Sequence, residues 1–375
     1  MLLYTILNAV IVLLSFLYLL VLKHLTKRTS LFLAFLLYLF FVLVIMFRPL
    51  DSPDTSAYMN IYGSSRRILG GVKEIDLFSK YGDNDGTYEY GFLAISAFFS
   101  LFASFRFFLG AIALFTSLII PYCLSELFRR KEEKSVNYKK RLSFFVLYLC
   151  TFGLLYSGVA IRAGCGISIG LMSSLMIKKR RFLLAIVFLV LAFSVHRTSI
   201  VFLIIDLLFL LSVKEKRCLS QNRIRFLLIV ELFAVLVLLV LGRAFLYGVI
   251  NNVFGSIGLD SYLSYHTSES GLGLTKILIC LIVFGLLFYI SIIKAPIANT
   301  HIYLLLFIPL LIILFADFRA ASRLYDQFLI FIVGVIIYSY YKVIKTNRFG
   351  GSILLGGFVL AISFVFMNTI FTFTS

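Results

Sequence analysis

Apolar stretches close to the thickness of a bilayer core recur along the whole chain, at 2–22, 30–47, 106–127, 142–161, 163–177, 182–195, 198–213, 226–247, 273–293, 301–316, 324–341 and 351–373. A helix needs about 20 apolar residues to cross the hydrocarbon region, and the shorter runs reach that length with their flanks. Mean hydropathy is +1.04 and only 14% of the 375 residues are charged, which excludes a soluble domain. The expected fold is an all-α polytopic membrane protein of about 12 transmembrane helices. No composition shift, low-complexity tract or repeat divides the chain, so 1–375 reads as a single transmembrane domain. The first run lacks a basic leader and a small-residue cleavage site, and reads as a span rather than a cleavable signal.

Orientation follows from Lys and Arg in the loops. The segments around 23–28, 129–141, 178–181, 214–225, 294 and 342–348 hold 23 of the 35 Lys/Arg and are assigned to the cytoplasm, with both termini outside. Two external loops are long enough to carry structure, 48–105 and 248–272. Residues 91–105 are apolar but short for a span, and Ser96, Ser100 and Ser104 mark one face at four-residue spacing. They read as an amphipathic helix on the outer surface. The net charge of +18 is split among short loops, which fits contact with anionic membrane lipids and argues against nucleic acid.

The remaining 12 Lys/Arg fall on the outer side, where the rule does not call for them. Arg162 opens an apolar helix with small residues at 164, 166, 168 and 170, a face suited to close helix packing. Its guanidinium could grip a phosphate by two hydrogen bonds; the plainer alternative is snorkelling to the interface. His196 and Arg197 sit in a tight outer turn, where His196 could act as a general base or simply face water. Arg319 and Arg323, four apart, would share a helix face. They could hold a diphosphate or form an interfacial ion pair with Asp326. Asp51 and Asp54 could cap a helix or bind sugar hydroxyls, with Tyr58 or Tyr62 stacking on a ring; Glu89 has the same ambiguity. Asp206 and Glu231 lie inside spans and read as structural.

Cys123, Cys150, Cys165, Cys218 and Cys280 fall in spans or cytoplasmic loops without metal-ligand spacing, so neither a disulfide framework nor a metal site is expected. No phosphate loop, dinucleotide fingerprint, HExxH helix or GxSxG elbow occurs.

The polar segments Asp51–Tyr58 (DSPDTSAY), Tyr88–Phe92 (YEYGF), Ile161–Gly164 (IRAG), Val195–Ser199 (VHRTS) and Arg319–Tyr325 (RAASRLY) stand in this order between spans. In that order they resemble the EpsG/Wzy-type polysaccharide polymerases of bacteria, over about 1–345. Many members carry Gln where Ala163 stands here, so the hydrogen-bond partner of Arg162 is left open by the resemblance.

The resemblance implies a multi-pass glycosyltransferase of the cytoplasmic (inner) membrane with the helical membrane fold of lipid-linked glycosyltransferases. Its active face would be periplasmic or extracellular. It would join undecaprenyl-diphosphate-linked oligosaccharide units into O-antigen of lipopolysaccharide, capsule or exopolysaccharide, without a cofactor. A chain-length regulator and a flippase are candidate partners. Arg162, Arg319, Arg323, Arg197, Asp51, Tyr58 and Tyr325 are then candidate substrate-binding residues. His196 is the first choice as catalytic base, with Asp54 and Glu89 as rivals. An O-antigen ligase or membrane acyltransferase is a competing reading, as is a non-enzymatic translocase of lipid-linked sugars.

Overall fold

The computed structural model describes residues 2–22, 24–50, 53–69, 89–129 and 137–214, with isolated helical positions beyond. Apolar runs become helices because, away from water, a backbone must satisfy its own N–H and C=O groups. Along the chain run α1 (Leu2–Val21), α2 (Lys27–Met46), α3 (Pro53–Leu69), α4 (Tyr90–Ser100), α5 (Phe105–Leu127) and α6 (Tyr138–Tyr148). A π-helical segment (Leu149–Val159) continues α6, followed by α7 (Ile161–Lys178), α8 (Phe182–Val195), a 3₁₀ turn (Arg197–Ile200) and α9 (Val201–Lys214). No strand occurs among the described residues.

Four of these helices are long and apolar enough to cross a membrane: Lys27–Met46, Phe105–Leu127, Tyr138–Val159 and Ile161–Lys178. Shorter apolar helices accompany them. Leu183, Ile186 and Val190 stay exposed along one side of α8, as lipid-facing side chains do. The spans expected after residue 214 lie outside the described residues. The chain divides into two compact units, Met1–Leu203 with Phe349–Ser375, and Ile204–Arg348, a division of which composition gives no sign. Helices α1 to α8 belong to the first unit.

The external segment is more ordered than the sequence suggests. Its first part forms α3, with Pro53 at the first helical position, where a missing N–H costs nothing. The helix expected over 91–105 runs Tyr90–Ser100 instead, and Ser104 caps α5 by accepting from the Phe107 N–H at 3.3 Å. Ser96 and Ser100 are buried, so the serine face of α4 points into the protein rather than toward water. Tyr62 ties α3 to the α4–α5 corner, donating its hydroxyl to the Ala103 carbonyl at 2.6 Å with the Phe99 carbonyl at 3.1 Å.

The far ends of α5 and α7 meet at a basic layer. Lys178 donates to the carbonyls of Glu126, Leu127 and Arg129 at 2.8–3.0 Å, covering acceptors that the end of α5 leaves open. Glu126 pairs with Arg129 at 3.3 Å and Arg141 at 2.5 Å. Arg180, at φ 60°, takes the left-handed conformation that turns the chain sharply from α7 into α8. The basic segments 129–141 and 178–181 therefore share one end of the bundle, and Arg162 stands at the opposite end of α7.

Candidate active site

Three chain reversals bring the polar residues together at that opposite end. The first is the break between the π segment and α7. The Ala160 N–H bonds the Leu155 carbonyl five residues back (2.7 Å), and Ala160 then leaves helical geometry (ψ 59°). Arg162 is thereby placed in the first turn of α7. The second is the end of α8, where His196 turns extended and starts the 3₁₀ turn. The third is the start of α4, where Glu89 takes the N-cap position.

Glu89 joins all three. Its Oε2 accepts from Arg162 Nη1 at 2.8 Å, and its Oε1 lies 3.2 Å from His196 Nδ1. The Arg197 backbone N–H also points at Oε1, at 3.4 Å. Both Glu89 and His196 are buried, whereas the Arg162 side chain keeps 25% of its surface. Burial by itself would raise the Glu89 pKa. The His196 hydrogen bond and the Arg162 charge outweigh it and hold the carboxyl well below the usual carboxylate range. An ionised carboxylate can only accept, so His196 Nδ1 carries the proton in this contact and Nε2 is left as the basic nitrogen.

Arg162 is held on a second side by Tyr58 of α3, whose ring centroid is 5.7 Å from its guanidinium carbon. Tyr58 packs on Phe92 at 5.7 Å between centroids. Beneath the charged groups lies an apolar floor from α3, α4, α5, α7 and α8, including Tyr58, Phe92, Phe108, Ile161 and Val195. Such a floor keeps water off the carboxylate and strengthens its interactions.

Glycines set the spacing. A Cβ on Gly91 would stand 2.8 Å from the Ser194 backbone carbon, so only glycine lets α4 approach the end of α8 closely enough for Glu89 to reach His196. A Cβ on Gly166 would collide with the Ser199 hydroxyl and come within 2.9 Å of the His196 Cβ. The small-residue face of α7 is the surface on which the His196 turn rests.

Of the candidates from sequence, Glu89, Arg162, His196 and Tyr58 converge here. Arg197 contributes its backbone N–H while its side chain is exposed. Asp54 lies in α3, but its side chain, like Asp51, Arg319, Arg323 and Tyr325, lies outside the described residues. The sequence offers Glu89 as one rival base and does not reveal that it bridges the other two groups; Gly91, two residues on, is the one available signal. Among the described residues no three His, Cys, Asp or Glu side chains come close enough to hold a metal ion.

These features define an all-helical membrane protein with a buried carboxylate–histidine–arginine cluster at one end of its bundle. The family model for the EpsG family matches residues 31–375, and the chain belongs to that family. Comparison with curated proteins and with solved structures returns no match.

Proposed function

We propose that this chain is a polysaccharide polymerase, a glycosyltransferase that joins oligosaccharide units carried on a lipid diphosphate such as undecaprenyl diphosphate. Membership of the EpsG family supports a role in polysaccharide biosynthesis. The observation that carries the reaction is the Glu89 carboxylate shared between His196 and Arg162. Transfer of a glycan from a lipid diphosphate asks for two things, a base for the attacking hydroxyl and positive charge for the departing diphosphate. The cluster offers both within one hydrogen-bonded unit.

In this reading His196 Nε2 takes the proton of the incoming unit's hydroxyl as its oxygen bonds to the anomeric carbon of the growing chain. The bond from that carbon to the diphosphate oxygen breaks, and its electron pair leaves with the lipid diphosphate. Glu89 fixes the imidazole and stabilises the imidazolium that forms. Arg162 has five N–H donors, of which Nη1 serves Glu89. Its exposed edge, with the Arg197 side chain, faces the developing phosphate charge; Arg319 and Arg323 are proposed to add to it. The site would open on the periplasmic or extracellular face of the inner membrane, opposite the basic layer of Glu126, Arg141 and Lys178. A flippase would supply the units, and a chain-length regulator would act on the product.

The test is replacement of the chromosomal gene by an His196→Gln allele, with surface polysaccharide resolved on a gel. Loss of the ladder, with single-unit material retained, is the expected result. Loss of all repeat-bearing material would point to a ligase or translocase and overturn the reading.

A further inference from the structure

A second group of polar side chains is buried at the same end of the helices, across the Ala160 break from Glu89. The antiparallel hairpin of α1 and α2 brings the start of α1 beside the residues that follow α2. Tyr4 thus lies within electrostatic reach of Arg48 and alongside Asn8. Arg48 is 3% exposed and Asn8 wholly buried. The Tyr4 hydroxyl and both polar atoms of the Asn8 amide meet no hydrogen-bond partner among the described residues. Buried amides and phenols are normally satisfied, so such groups mark a place where a ligand or water belongs.

The location ties this group to the active end. A Cβ on Gly158 would stand 3.5 Å from the Tyr4 hydroxyl, and Gly158 precedes Arg162 by one helical turn. Leu50, two residues after Arg48, packs on the apolar cluster that contains Tyr58 and Ile161. Gly158 therefore faces Tyr4 on one side of the Ala160 break, and Arg162 faces Glu89 on the other.

We infer that Arg48, Tyr4 and Asn8 form a second anion-binding site, which takes a phosphate group. A guanidinium, a phenol and an amide NH₂ all donate, and a donor-rich site beside a fixed positive charge suits phosphate oxygens. An apolar surround raises the value of each such bond. Joining two lipid-carried units needs two diphosphates bound at once, and this site would hold the one that does not depart. That assignment rests on the polymerase reading; the anion site does not.

The experiment uses the full-length protein in lipid nanodiscs, with farnesyl diphosphate, farnesol and inorganic pyrophosphate as probes and native mass spectrometry to count bound molecules. The wild type is expected to bind two farnesyl diphosphates and no farnesol, and Arg48→Gln only one. Tyr4→Phe and Asn8→Leu remove polar atoms while keeping bulk, and each is expected to weaken the second binding event at least five-fold. Both are chosen because Arg48→Gln could disturb folding, and thermal melting of all three guards against that.

Pyrophosphate occupying the second site as tightly as farnesyl diphosphate would assign the phosphate to solution and overturn the role as second lipid substrate. Two molecules bound by all three variants with wild-type affinity would overturn the anion site itself, and mean that water satisfies Asn8. The polymerase reading stands or falls separately, on the ladder of His196→Gln. Arg48→Gln cells that lose the second binding event yet still make full-length polymer would remove only the link between the two.

Discussion

Glu89 and His196 are 107 residues apart in the chain, and their side chains meet at 3.2 Å. Arg162, 73 residues from Glu89, closes the unit at 2.8 Å. One carboxylate thus fixes the orientation of an imidazole and the charge balance of a guanidinium at once.

Because the three act as one unit, their losses should not add. His196→Gln is expected to cut polymerisation by about 10²–10⁴-fold, and Glu89→Gln by about 10²-fold or more. The double variant should be little worse than His196→Gln alone, since interaction within a shared network appears as non-additivity. Polymer synthesis on defined lipid-linked units would measure it; additive losses would mean that the two residues act independently.

Arg162→Lys keeps the charge but loses the planar fork and the stacking on Tyr58, 5.7 Å away. Lysine and arginine are not equivalent at such a site. Activity should fall about ten-fold or more. Arg162→Ala should also lower stability by about 2 kcal/mol, less than the roughly 3–5 of a fully buried pair, because Arg162 is partly exposed. Denaturation in mild detergent, compared with kinetics, separates the two effects.

Gly91→Ala touches no charged group, yet its Cβ would stand 2.8 Å from the Ser194 backbone. Helix α4 must then move off α8, and Glu89 with it. A displacement of this kind costs about 10²-fold in rate when it misplaces reacting groups, with about 1–3 kcal/mol of overpacking. Wild-type rates in Gly91→Ala would show that the α4–α8 spacing does not govern the site.

The pH dependence has a defined sign. The Glu89 carboxyl, with an ordinary value of 4.5, is lowered to about 2 in the fold, so its contribution is full above 4.5 and is lost as pH falls toward 2. The melting-temperature difference between wild type and Glu89→Gln should hold constant down to about pH 5 and shrink only below it. A difference that closes between pH 8 and 5 would assign the dependence to another group.

The spans over 1–214 are legible in the sequence because burial in lipid demands apolar runs, and α2, α5, α7 and α8 lie where those runs fall. Helix α3 is not, since Pro53–Leu69 is polar on average and shows no stripe; packing through Tyr58 and Tyr62 stabilises it. The serine spacing on α4 marks a real face, but not its direction, because periodicity does not say what covers a face. Glu89, Arg162 and His196 are each identifiable as polar residues at the mouths of helices. Their mutual pairing is not, because it depends on approaches between elements more than 70 residues apart that only Gly91 and Gly166 permit.

The π segment Leu149–Val159 acts as a setting of angular phase. An α-helix advances about 100° per residue, so each residue accommodated in a wide turn decides which way everything after it points. Removing one residue between Leu149 and Val159, and letting the segment relax to an α-helix, would swing the start of α7 around its axis and aim Arg162 at lipid instead of Glu89. The cation at the head of α7 is therefore positioned from behind, by the winding of the helix that precedes it. Insertions and deletions there should be far less tolerated than substitutions that preserve its length.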